Sequence, residues 1–191
     1  MARPKLTIAL SHYDRHVPFF DGTVAPKGFN LNVMIVGQSD RQRDGEERHE
    51  RMLQKGEFDV AEVSLSSYLM AKSRGMPFTA IPVFPRRLFS HSQMWVNVDA
   101  GIEQPKDLIG KKVALNSFQN TLATLAKGDL QSEFDVPWRK VHWLLSKKEA
   151  IEFEPEKGTK IDQLPDTANV GDMLENGEVG AVVTPHAPKP D

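Results

Sequence analysis

The feature that most constrains this chain is an alternation. Short runs of aliphatic, β-branched and aromatic residues recur, and most are followed by a segment whose apolar residues return at helical spacing. Such alternation predicts an α/β fold with a mostly parallel sheet flanked by helices, because parallel neighbours need a crossover and a helix usually supplies it. Strands are expected at Lys5–Leu10, Phe29–Val36, Phe58–Val63, Phe78–Phe84, Gln93–Val98, Lys111–Asn116, Val141–Leu145 and Gly180–Thr184. Between them the pattern predicts a short helix at Arg15–Phe20 with Asp14 as N-cap, one near Glu47–Gln54, and one at Ser64–Arg74 ended by Gly75 and Pro77. Further helices follow at Lys106–Leu108 (stopped by Gly110), Gln119–Phe134 and Val170–Asn176. Leu65, Tyr68, Leu69 and the Lys72 stem share one face of the third helix, and Leu122, Leu125, Ala126 and Leu130 fall at helical spacing in the fifth. Gln38–Glu47 reads as a solvated charged loop, Lys147–Asp166 as a surface excursion without a period. A lobe boundary near Arg86–Gln93 gives one lobe at 1–90 and a second at 91–191.

Composition narrows the function. The 191 residues, 39% hydrophobic and 26% charged, are enough for a packed core. Twenty-four basic against 26 acidic residues leave a net charge of -2, which gives no footprint for nucleic acid or a membrane surface. With no cysteine there is no disulfide framework, thiolate metal site or cysteine nucleophile. Lys5 is followed only by Leu6–Leu10 before polar residues intervene, short of the roughly 7–15 apolar residues of a signal peptide. No run approaches the roughly 20 of a membrane span. The expectation is a cytoplasmic chain without membrane insertion, or a periplasmic one if an upstream leader was removed.

Ligands of open parallel sheets sit beyond the carboxyl ends of the strands. After the first strand come Tyr13 and Asp14; after the third come Glu62, Ser64, Ser66 and Ser67. With Ser64 as N-cap, that helix start would offer backbone N–H groups and serine hydroxyls to an anion, although serine-rich first turns also serve capping alone. The strand after Gly110 delivers Gln119, Asn120 and Thr121 to a second helix start. Arg86, Arg87 and His91 form the densest basic group near the expected boundary, suited to carboxylate binding and proton transfer. His12 and His16 lack a carboxylate to complete a metal set, and His142 lies in an apolar strand and reads as structural. No GxGxxG, P-loop or GxSxG motif is present. No metal and no cofactor is expected.

The stretches LTIALSHYDRHVPFFDGTVAPKGFNLNV (6–33), GEFDVAEVSLSSYLMAKSRGMPFTAIPVFPRRLFSHSQMWVNVDAGI (56–102) and DLIGKKVALN (107–116), with a weaker echo in DMLENGEVGAVVTPHAP (172–188), resemble the 4,5-dihydroxyphthalate decarboxylase family. That family is related to the substrate-binding proteins of ABC transporters. The resemblance implies a two-lobed, periplasmic-binding-protein type II-like fold with the ligand in the cleft between lobes. Such a fold crosses from lobe one to lobe two and back; this chain reaches the point of return and ends, so lobe one is expected to lack its return segment and to expose a sheet edge that invites a homo-oligomer. The resemblance also implies a carbon–carbon lyase: cofactor-free decarboxylation of a small anionic aromatic ligand. That chemistry asks for clamps on two carboxylates, a proton donor over the ring and acceptors for the ring hydroxyls. Strand-end position offers Arg86, Ser66, Ser67 and the Asn120–Thr121 helix start as clamps, Glu62 or His91 as donor, and Tyr13 or Asp14 for the hydroxyls. A non-catalytic solute-binding protein of a transporter would use the same groups, and a truncated, inactive product is a third reading.

Overall fold

The computed structural model describes residues 3–37 and 48–191. The expected loop at Gln38–Glu47 lies outside them. The chain separates into two compact units, Met1–Pro85 and Arg86–Asp191, a few residues before the boundary expected at 90.

The first unit holds a sheet of three parallel strands, β1 (Lys5–Leu10), β2 (Asn30–Ile35) and β3 (Val60–Ala61), in the order β2-β1-β3. Register runs from Lys5 opposite Asn30 to Leu10 opposite Ile35, and Ile8 faces Val60. β1 is central, so its last residues Ala9 and Leu10 are buried, and Ala9 packs with Val36 and Phe58. Among its described residues the unit also holds the helices α1 (Val17–Phe20), α2 (Arg48–Lys55) and α3 (Leu65–Ser73). Asp14 does not cap the first of these; it lies inside a single 3-10 turn, Asp14–His16, that precedes α1. α3 ends as its sequence predicts. Gly75 has φ 72, and the Gly75 and Met76 N–H groups donate to Lys72 and Ala71 carbonyls in a Schellman arrangement.

Two further expectations for this unit need correcting. α3 turns Ser67 and Ala71 inward, while Leu65 and Leu69 are 44% and 58% exposed. Small residues let the helix approach its neighbours closely, and that outweighs the hydrophobic spacing. The stretch 78–84 is not a strand. Pro82 and Pro85 remove backbone donors, the Phe78 and Val83 N–H groups close local turns onto the Met76 and Ile81 carbonyls, and Ile81, Val83 and Phe84 are 64%, 62% and 58% exposed.

The second unit holds β4 (Met94–Val96), β5 (Lys112–Leu115), β6 (His142–Leu145), β7 (Lys160–Gln163) and β8 (Ala181–Val183) in the order β4-β8-β5-β6-β7. All pairs are parallel except β4 with β8. β7 falls within 147–166, where no strand was expected. It forms because it completes the edge beside β6, and Asp162 Oδ2 meets His142 Nε2 across the pair at 2.6 Å, the structural role anticipated for that histidine. Helices α4 (Thr121–Ser132) and α5 (Val170–Glu175) complete the unit. The sheet is apolar on both faces, as parallel sheets usually are. Val113, Leu115, Trp143, Leu145 and Val183 pack with Ala123, Ala126 and Leu130 of α4, while Ala114, Leu144 and Val182 pack with Leu174 of α5. Leu125, expected inward, is 47% exposed, and Lys127 takes a place on the buried face instead. No helix among the described residues is long and apolar enough to cross a membrane.

Candidate functional site

The carboxyl ends of all three strands of the first unit are tied together by one side chain. Arg48, in the first turn of α2, is 2% exposed. Its Nε donates to the Glu62 carbonyl at 2.9 Å and its Nη2 to Glu62 Oε2 at 3.0 Å. Nη1 reaches the Val36 carbonyl at 3.0 Å and Ser11 Oγ at 2.5 Å. Val36 follows β2, Ser11 follows β1 and Glu62 follows β3 directly, so a single guanidinium closes the sheet at the end where ligands bind. His16, also buried, donates from Nδ1 to the Ser11 carbonyl at 2.9 Å.

This network changes the reading of Glu62. Expected as a proton donor, it instead balances a buried cation, with only 12% of its side chain exposed. Tyr13 is half-buried under the Arg15 guanidinium, 4.0 Å above its ring. The Asp14 side chain is 97% exposed and outside the network. Ser64 occupies the N-cap position of α3, with extended backbone (φ -62, ψ 128) and no capping bond from its hydroxyl. Ser66 is half-buried. Ser67 is 2% exposed on the inner face beside Ala71, four residues on, which removes it from the ligand-facing set.

The second unit fills its helix entrance from within. Asn120 caps α4 by accepting from the Ala123 N–H at 2.8 Å. The two N–H groups before it, of Phe118 and Gln119, donate to the Glu149 carboxylate at 2.5 and 3.2 Å. Gln119 is 4% exposed, and both ends of its amide bond the Ile151 backbone. Gln119 and Asn120 therefore anchor the loop and its cap rather than offering donors to a ligand. Thr121 is half-buried. Beneath this loop the Lys127 ammonium donates to the Phe118 carbonyl at 2.6 Å and lies 3.0 Å from the centre of the Phe118 ring. Burial pushes Lys127 down to about 7, and Glu149 pulls it partly back up. Burial also raises Glu149 above the usual carboxylate range, against the N–H bonds of Phe118 and Gln119 and the charge of Lys127.

His91 lies elsewhere in this unit. It is in the 3-10 turn Ser90–Gln93 before β4, its side chain 51% exposed, with Nε2 3.9 Å from Asp129 Oδ2 and its ring edge-on to Phe134. Asp129 also accepts from the Ser90 hydroxyl. Asp129 is eight residues into α4, about 12 Å along its axis, so the structure does not bring His91 to the Asn120–Thr121 helix start. Arg86 is half-buried and Arg87 exposed. Arg48, Asp129, Lys127 and Glu149 were all missed from sequence. The local pattern marks none of them, because their partners lie far away in the chain. Among the described residues no group of three or more His, Asp or Glu side chains is placed to hold a metal ion.

Two α/β units with mostly parallel sheets, polar networks at their strand ends and a family match across both define the class. The pattern of the family described as NMT1/THI5 like matches residues 30–131, and the chain belongs to that family, whose fold is of the periplasmic-binding-protein type II kind. It is 31% identical to the 4,5-dihydroxyphthalate decarboxylase of Comamonas testosteroni over 98% of its own length and 57% of that protein's. It is 30% identical to the 4,5-dihydroxyphthalate decarboxylase of Pseudomonas putida over 98% of its own length and 73% of that protein's. The chain thus spans little more than half the length of the first relative, and the resemblance read from its segments is a true family relation.

Proposed function

We propose that the chain serves the cofactor-free decarboxylation of a dihydroxylated aromatic dicarboxylate of the 4,5-dihydroxyphthalate kind. The observation that carries this reading is the identity with two decarboxylases over 98% of the chain. The reading takes the two units as lobes of a type II binding-protein fold and the ligand as held in the cleft such folds have.

The chemistry needs no redox step. A ring carbon made electron-rich by hydroxyl groups takes a proton at the position bearing a carboxylate. The C–C bond then breaks, its electron pair restores the aromatic ring, and CO2 leaves. His91 is the donor in this reading: histidine is the side chain whose ordinary titration lies nearest neutrality, it is exposed enough to reload from solvent, and the Asp129 carboxylate lies 3.9 Å from its Nε2. In this reading Arg86, with Arg87, Ser64 and Ser66, supplies the carboxylate clamps, and Tyr13 meets the hydroxyls. The family match equally suits a non-catalytic solute-binding protein for a small anionic or aromatic ligand.

The test is CO2 release from 4,5-dihydroxyphthalate by this chain and by a full-length relative. Release from both, lost by about 10²–10⁴-fold in His91→Asn with ligand affinity kept, is the expected result. Release by the relative alone makes the chain an incomplete enzyme. Ligand bound by both with no CO2 from either establishes the solute binder.

A further inference from the structure

The geometry points to Glu62 as the acceptor of a ring hydroxyl, held in place by Arg48 as its positioning residue; this rests on the aromatic-acid reading above. A guanidinium as buried as that of Arg48 needs a fixed negative partner. Glu62 is that partner, gripped at two points, its carbonyl by Nε and its Oε2 by Nη2. A carboxylate held as an anion only accepts hydrogen bonds. Its other oxygen, Oε1, takes no hydrogen bond among the described residues, and the side chain keeps a 12% opening to solvent. The residue stands directly after β3, at the ligand-binding end of the sheet.

An ionised acceptor in that position selects one edge of the ligand. It attracts O–H donors and repels carboxylates, so it receives the hydroxyl-bearing edge of the ring and turns the two carboxylates toward cationic groups. Glu62 thus sets specificity between hydroxylated and plain aromatic dicarboxylates.

Isothermal titration with phthalate and 4,5-dihydroxyphthalate reads this directly. The wild-type chain is expected to prefer the dihydroxy compound by about 10- to 100-fold, the range for a hydrogen bond to a charged group. Glu62→Gln removes most of that preference while phthalate binds as well or better, and Arg48→Lys, which keeps the charge but loses the two-point grip, lowers it too. Should Glu62→Gln weaken both ligands equally, the inference fails and the decarboxylase reading stands. Wild-type chain that binds neither compound sinks both. If the variants do not fold, 4,5-dimethoxyphthalate on wild-type chain decides: its methoxy groups cannot donate, so it is expected to bind no better than phthalate. Binding as tight as that of the dihydroxy compound overturns the inference.

Discussion

Both units place a carboxylate and a cation at the carboxyl ends of their strands, and they use them differently. In the first, Arg48 and Glu62 pair directly at 3.0 Å and the cation is spread over three strand ends. In the second, the Glu149 carboxylate turns to two backbone N–H groups, and the Lys127 ammonium turns to the Phe118 carbonyl and ring. Guanidinium has five donors in a plane and stays charged, so it can join several chain segments at once. An ammonium is a point charge that loses its proton when burial outweighs its partners. The first unit therefore holds a permanent ionic clasp, the second one that titrates.

The largest expected effect breaks the clasp. Arg48→Met should destabilise the first unit by about 3–5 kcal/mol, because it strands Glu62 and leaves the Val36 and Ser11 groups without their donor. Urea unfolding followed by signals of each unit checks it; a loss shared equally by both units would contradict the local role.

Lys127→Met should be much milder near neutral pH and should act on the pH profile instead. The folded-state proton affinity of Lys127 is lowered from 10.5 to about 7, so between those values the unfolded chain binds a proton that the folded chain does not. Stability from this group is then full above 10.5 and is lost as pH falls through about 7. Glu149 is raised above 4.5, so its contribution is full below that value and declines as pH climbs through the folded one. Unfolding midpoints from pH 6 to 10 should rise less in Lys127→Met than in wild type, and Glu149→Gln should flatten the acid side. Parallel profiles for wild type and variant would place Lys127 with the permanent clasps.

The smallest effect concerns sheet edges. Among the described residues of the first unit β3 pairs only with β1, and the apolar stretch Ile81–Phe84 is exposed. Self-association through these exposed surfaces is expected, visible as concentration-dependent light scattering and reduced by Val83→Lys. A monomer at all concentrations would remove the homo-oligomer from the reading.

Much of the fold was legible in the sequence because it rests on local pattern. The run Lys5–Leu10 is β1 residue for residue, and Gly75 stops α3 through positive φ. The failures share a cause. Whether 78–84 becomes a strand, or 160–163 does, depends on a neighbour that offers a ladder, which the residues themselves do not encode. The candidate site was legible in place more than in detail. Strand-end reasoning found Glu62 and the 116–121 loop, but not that Arg48 reaches the first or Glu149 the second.

The sequence by itself determined an α/β chain, its family, and the segments from which a site is drawn, since periodicity, turn residues and motif identity are properties of neighbouring residues. Only the tertiary structure decided which polar groups are consumed in holding the strand ends and which remain open. The reason is energetic: a buried charge must find its partner. Arg48 finds Ser11, Val36 and Glu62, which lie 37, 12 and 14 positions away along the chain.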